Sequence, residues 1–446
     1  MLSVLASRTY RHLFAAQVVA LVGTGLATVA LGLLAFDLAG GNAGAVLGTA
    51  LAIKMAAYIG VAPVVGAFAD RLPRRAFLIA MDLIRAGVAL VLPFVTEIWQ
   101  IYVLIFLLQS ASAAFTPTFQ ATIPDVLPEE RDYTRALSLS RLAYDLESLA
   151  SPALAAALLA VISFHWLFSG TAVGFLASAL LVASTTLPRP ARSAAPARGA
   201  YARTTRGIRI YLKTPRLRGL LAVTLAAAAA SAMVIVNTVV IVRELLGRGQ
   251  EDVAVALAAY GAGSMLAAFA LPRALERVAD RTVMILGASA AVLVLGSTAA
   301  LVAVIGPEDL WPWLIGAWTL LGAAYSATVT PGGRLLRRSA GAESRPALFA
   351  AHFALSHVCW LVAYPVAGFV GADQGMLASF AGMAVLALAG ATLACFVWPP
   401  RDPDVLAHSH PELPPGHPHL LQGHGPDKSE HAFVIDDLHP NWPNRM

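Results

Sequence analysis

Residues 18–36 read VVALVGTGLATVALGLLAF. No charged side chain interrupts them, and they lack the polar face that an ordinary core helix shows to water. At 1.5 Å per residue, a helix of this length crosses a hydrocarbon layer of about 30 Å, the thickness of a bilayer core. Residues 377–398, LASFAGMAVLALAGATLACFVW, repeat the pattern far along the chain. The sequence of 446 residues is 58% hydrophobic and 13% charged, roughly half the charge of a soluble domain. Lipid is therefore the solvent for most of this fold. The period-two alternation of a transmembrane barrel is absent, so the spans are helices, which satisfy every backbone amide within the segment.

Apolar runs and their breaks predict helices near 12–36, 44–68, 76–95, 101–122, 138–162 and 165–187, then near 219–242, 252–271, 283–305, 311–330, 347–370 and 375–398. This is an all-α membrane protein of twelve transmembrane helices in two six-helix halves, 1–187 and 216–398. A linker rich in Pro, Ala and Arg, 188–215, separates them, and a polar tail, 399–446, is expected to be disordered. The first apolar run is too long for a secretory leader and reads as a retained helix. Both cysteines, Cys359 and Cys395, fall inside spans, where small buried hydrophobes are expected rather than a disulfide.

With an even number of spans, both termini share one side. Loops on that side hold Arg8 and Arg11; Arg71, Arg74 and Arg75; Arg131 and Arg135; the cluster from Arg189 to Arg218; Arg273, Arg277 and Arg281; and Arg334, Arg337, Arg338 and Arg345. The opposite loops hold Arg243 and Arg248. Positive loops stay inside, so both termini are expected in the cytoplasm. This topology explains the net charge of +5 without a nucleic-acid partner.

Between the second and third predicted helices stands Gly66-Ala67-Phe68-Ala69-Asp70-Arg71-Leu72-Pro73-Arg74-Arg75. Here the sequence resembles the major facilitator superfamily, whose signature loop has a glycine, an Asp-Arg pair and two further basic residues in this place. Gly66, Asp70, Arg71, Arg74 and Arg75 match, while Pro73 replaces the second glycine. The resemblance implies a gating loop. A glycine permits close helix approach, and Asp70 would pair with arginines or meet a helix N-terminus across the interface. Arginines that only anchor topology are the alternative. The matching loop of the second half keeps Asp280 and Arg281 without the glycines, and Ser151-Pro152 is similar to a weakened Gly-Pro element of the antiporter branch.

Ionisable residues at membrane depth are costly, which makes them functional candidates. Lys54 lies mid-helix and must meet a cavity or a carboxylate. Arg141, Asp145 and Glu147 sit on the fifth helix; the two carboxylates diverge around it, so both cannot use Arg141. One of them is a candidate proton carrier. Asp82 and Arg85, three apart, read as a local pair at the membrane interface. Gln17, Gln109, Gln120, Asn237, His352 and His357 are further polar positions in or near spans.

Seven of the eleven histidines lie in the tail: His408, His410, His417, His419, His424, His431 and His439. Imidazoles at loose spacing suit flexible capture of Ni, Zn, Cu or Co. A cytoplasmic histidine-rich tail on this body resembles the nickel-resistance permeases, and the body is also similar to macrolide and siderophore exporters. The resemblance implies a proton-coupled exporter in a bacterial inner membrane, monomeric, without cofactor, carrying divalent nickel or cobalt. A multidrug, macrolide-like or siderophore efflux pump is the other reading, with lipid and a small-molecule substrate as partners. No nucleophile elbow, phosphate loop or zinc-protease motif marks an enzyme.

Overall fold

The structure, a computed structural model, describes residues 2–68, 73–129, 132, 136, 139–140, 143, 147, 151, 154–187, 200–341, 344–403, 405–408, 429–436, 438–439 and 441–443. Its helices are α1 (Arg8–Ala39), α2 (Ala43–Phe68), α3 (Arg74–Val91), α4 (Ile98–Val126), α5 (His165–Ala183), α6 (Ala200–Lys213), α7 (Pro215–Val240), α8 (Gln250–Leu275), α9 (Asp280–Val302), α10 (Pro307–Val329), α11 (Gly332–Arg338), α12 (Arg345–Gln374) and α13 (Met376–Val397). Between α4 and α5 the described residues 132, 136, 139–140, 143, 147, 151 and 154–159 are helical. The twelve predicted spans correspond to these residues together with α1–α5, α7–α10, α12 and α13, and the named helices lie within a few residues of their expected bounds. Two helices escaped the hydropathy reading, the linker helix α6 and the short α11.

Helix ends follow from local chemistry. Ser7 caps α1 by accepting from the Tyr10 amide, and Gln100 Oε1 accepts from the Glu97 amide at the start of α4. Glu251 and Asp252 open α8, and Glu308 and Asp309 open α10, placing negative charge at positive helix ends. Gly375, at φ +87°, turns the chain sharply from α12 into α13 in a conformation other residues avoid. Hydroxyls inside spans return to their own helix: Thr24, Thr28, Ser112, Thr118 and Thr122 each donate to the carbonyl four residues back. The outward faces carry large apolar side chains, with Phe94 and Phe396 each 81% exposed, as a lipid-facing surface requires.

The α7 helix runs through the C-terminal half buried along most of its length, and its Ala226–Ala230 run lets neighbours approach closely. The two halves meet chiefly along α2 and α12, with α7 beside α2. At one end this seam is nearly bare backbone. A Cβ on Gly48 would stand 2.5 Å from the Tyr364 carbonyl oxygen, and one on Gly44 would stand 2.6 Å from Asn237 Oδ1. Asn237 ties the same end together, donating to Ala367 O and Ser379 Oγ at 3.0 Å each. The seam therefore closes the end of the bundle opposite the arginine-rich turns.

At the arginine-rich end, α6 docks on α12. Gly207 lies against the Ala347 carbonyl, and the Tyr211 hydroxyl is 3.0 Å from His352 Nδ1 with the two rings stacked. Asp402, just past α13, accepts from Arg338 Nη2 at 2.6 Å and lies 3.6 Å from Arg216 Nη1. Beyond it, β1 (Val405–His408) and β2 (Ser429–Ala432) pair antiparallel, with Leu406 opposite His431 and His408 opposite Ser429. Phe433 and Ile435 are buried, Trp442 packs on Phe433 and over the Arg216 guanidinium, and Lys213 donates to Asn441. The expected disordered tail is thus folded where it is described. Its few apolar residues are concentrated there and find a surface on the C-terminal half.

Candidate functional site

A cleft opens inside the N-terminal half among α1, α2, α4 and α5. On α1 it is lined by Thr24, Ala27, Thr28 and Leu31, and on α2 by Leu47, Leu51 and Lys54. These are positions i, i+3 or i+4, and i+7, so each set forms one helical face. Gln109 from α4 and Phe175 from α5 complete the polar and apolar walls. Lys54 is the charged side chain on this lining, partly exposed to the cleft, as its mid-helix position demanded.

The charges of Lys54 and Glu147 attract one another. Space for the carboxylate comes from Gly25 on α1. A Cβ there would come 2.6 Å from Glu147 Oε1 and would collide with Ser151. Of the two expectations for Lys54, a cavity or a carboxylate, it lines the cleft, and the charge of Glu147 also acts on it; Arg141 and Asp145 lie outside the described residues.

The C-terminal half contributes a ring cluster that the sequence reading did not assemble. His357 on α12 stacks on Tyr58 of α2, with centroids 5.5 Å apart and planes 12° apart. Phe353 lies 4.1 Å from the same imidazole and Trp360 6.5 Å from it. Trp360 Nε1 donates to Ser231 Oγ at 2.8 Å. Positions 353, 357 and 360 share one face of a helix, a spacing that was open to reading. The charge of Lys54 also acts on His357.

The other predicted positions fall elsewhere. Gly66 is in α2, and Asp70 and Arg71 lie outside the described residues. Arg74 pairs with Asp125 at the end of α4, and Arg75 donates to the Ala183 carbonyl at the end of α5, so both brace the N-terminal half. Asp280 stands 3.5 Å from Arg334, and Arg281 donates to the Trp398 carbonyl. Asp82 and Arg85 are not an interfacial pair: Asp82 is 0% exposed, pairs with Arg85 and accepts from Ser178 at 2.8 Å. The Arg85 guanidinium lies between the rings of Phe115 and Phe175, at 4.3 and 4.5 Å. The packing of α3 against α4 and α5 encloses them, which a reading of α3 alone could not show.

Of the tail histidines, His408 and His431 lie in the hairpin strands, and His410, His417, His419 and His424 are outside the described residues. His439 is buried, with Nδ1 2.9 Å from Asp436 Oδ1. Burial works to raise the Asp436 carboxyl, but hydrogen bonds from the His439 ring and from the His439 and Leu438 amides outweigh it and hold it at about 2. Among the described residues no three His, Cys, Asp or Glu side chains gather as a metal site.

Comparison with known proteins gives a consistent picture. The family model described as Major Facilitator Superfamily matches residues 13–304 and 220–423. The uncharacterized MFS-type transporter YfiS of Bacillus subtilis is 30% identical over 120 residues, 27% of this chain and 28% of that protein. Macrolide efflux protein A of Streptococcus pyogenes is 27% identical over 153 residues, 32% of this chain and 38% of its own length. These alignments thus span well under half of either relative. Among solved structures, a bacterial homolog of the human lysosomal transporter Spinster, inward-facing and occupied, superposes with a TM-score of 0.68 at 12% identity, over 88% of this chain and 98% of the other. The nucleoside transporter NupG gives 0.65 at 13% identity over 87% and 98%. At these identities the likeness carries the fold.

Proposed function

Because the chain belongs to the Major Facilitator Superfamily, whose model spans both halves, we propose that this transporter is a secondary active exporter of an organic small molecule, driven by proton exchange at Glu147. The observation that carries the reading is Glu147 lodged against Gly25 of α1, with the Lys54 ammonium on the cleft as the opposite charge that acts on it. A carboxylate in an apolar wall with one ammonium as counter-charge can exchange that attraction for a proton as the site is exposed to either side of the membrane. The cleft lining is mostly aliphatic with Thr24, Thr28 and Gln109 as hydrogen-bonding groups, a composition that fits an amphipathic organic molecule, though at about 30 Å³ the cleft must widen to admit one. Relatives named as macrolide efflux proteins support that class and the outward direction. The arginine distribution supports cytoplasmic termini in a bacterial inner membrane.

A second reading, export of nickel or cobalt, is favoured by the histidines after α13. The test uses proteoliposomes under an imposed proton gradient, with radiolabelled erythromycin and Ni²⁺ as separate probes. Proton-driven erythromycin uptake that disappears in Glu147→Gln supports the first reading. Uptake of Ni²⁺ alone, lost on deleting 404–446, would replace it with the second.

A further inference from the structure

At the glycine end, where the seam is backbone against backbone, two side chains of the C-terminal half reach across to the N-terminal half. The chain does not leave α7 as a regular helix. Ile241–Leu245 form a π-helical turn, in which the Leu246 amide donates to the Ile241 carbonyl at 2.9 Å, and Gly247, at φ +63°, ends it. Such turns are rare and recur where a helix has a task beyond packing. Ile241 and Val242 are still buried, whereas Glu244 is exposed. Glu244 lies against the turn between α1 and α2: a Cβ added to Gly41 would stand 2.7 Å from each of its carboxylate oxygens. Its neighbour Arg243 lies over Phe36 near the end of α1, with the guanidinium carbon 5.6 Å from the ring centroid.

We propose that Arg243 and Glu244 form a latch with which the C-terminal half grips the α1–α2 turn of the N-terminal half and holds this end of the transporter shut. The chemistry of the turn suits such a grip. Gly40–Asn42 form a 3-10 turn that runs into α2 at Ala43, so Gly41 stands at the start of a helical segment. The first amides of a helix lack carbonyl partners within it and carry its positive end, which favours an anion there. Ala39, just before the turn, brings no capping side chain. The anion comes from the other half instead, and Gly41 admits it, because a Cβ would take the place of the carboxylate. The Arg243 guanidinium adds a cation on the face of Phe36. Both contacts join one half to the other, so neither survives their separation at this end. Arg248, close by, pairs with Asp252 and lies over Trp311, all within the C-terminal half. The inference depends neither on the cargo nor on Glu147.

The test reads conformation and needs no substrate. Spin labels at Thr96→Cys and Val304→Cys, both exposed at this end, in different halves and away from the turn in sequence, are placed in a Cys359→Ala, Cys395→Ala background in nanodiscs. Their distance distribution gives the ratio of closed to open populations. Glu244→Gln should lower that ratio by about 2- to 5-fold, the worth of an exposed charge at a helix end. Gly41→Ala, which displaces the carboxylate without altering it, should match that change, and the two together should do no more than either alone. Arg243→Leu should act in the same direction. Raising KCl from about 0.1 M to about 1 M should lower the ratio of the parent and affect Glu244→Gln less, which a contact of shape alone would not do. Arg248→Gln is the control and should keep the ratio of the parent. An unchanged ratio in Glu244→Gln, Gly41→Ala or Arg243→Leu overturns the proposal. So does an equal change in Arg248→Gln, or full additivity in the Gly41→Ala, Glu244→Gln double variant.

Discussion

Gly48→Ala is the sharpest perturbation the seam offers. The new Cβ would sit 2.5 Å from the Tyr364 carbonyl oxygen, where ordinary contact begins at 3.4 Å. Both partners are backbone, so no side chain can swing away, and α2 and α12 must separate locally by about 0.9 Å, the difference between those two distances. Overpacking of this kind costs about 1–3 kcal/mol. The penalty falls only on the state in which this end is closed, so the closed population should drop by about 5- to 150-fold relative to the open one. Spin labels at Asn42→Cys and Asp373→Cys, both exposed at this end and in different halves, placed in a Cys359→Ala, Cys395→Ala background, read this as growth of the longer-distance component. Gly60→Ala, on the same helix with nothing within 4 Å of its new Cβ, is the control and should leave the distribution alone. An unchanged distribution in folded Gly48→Ala would show that the seam is not what holds this end shut.

Other substitutions test the supports around the site. Asp82→Ala leaves Arg85 enclosed without its carboxylate and should cost about 3–5 kcal/mol in thermal unfolding, against about 1 kcal/mol for Ser178→Ala, which removes one hydrogen bond. Tyr211→Phe should cost about 1 kcal/mol and speed proteolytic cutting within 200–213, because the His352 bond that fastens α6 is gone. Asp402→Ala should lower the unfolding temperature more than deletion of 404–446 does, since Asp402 holds Arg216 and Arg338. The folded Asp436 carboxyl lies at about 2, below its usual value near 3.9, so its contribution is complete above pH 4 and is lost as pH falls toward 2. Protease resistance of 429–443 should therefore be flat from pH 7 to pH 5, fall below pH 4, and weaken at every pH in Asp436→Asn.

Spans such as α1 and α13 were legible because lipid imposes one requirement on every residue in them, and a run like 18–36 has no other use. The linker helix α6 was hidden for the opposite reason: its stability comes from Gly207 and Tyr211 meeting α12, contacts that depend on a partner far away in sequence. Lys54 announced itself as a lone cation in an apolar helix, but whether it meets a cavity or a carboxylate is decided by packing between helices far apart in sequence. Gly25, which makes room for Glu147, carries no chemical signal of its own. His357 was visible as a polar residue, but its bond to Phe353 and its stacking on Tyr58 are matters of geometry. The tail misled by composition, since proline and histidine outnumber the few apolar residues that dock it.

The attachment of α6 to α12 assigns that helix to the C-terminal half, although it precedes α7 in the chain. Tyr211 meets His352 of α12, and Lys213 donates to Asn441 beyond α13. A break upstream of residue 200 therefore leaves every one of these contacts within a single piece. The protein should assemble from two separately translated chains cut near residue 193, with α6 travelling as part of the second.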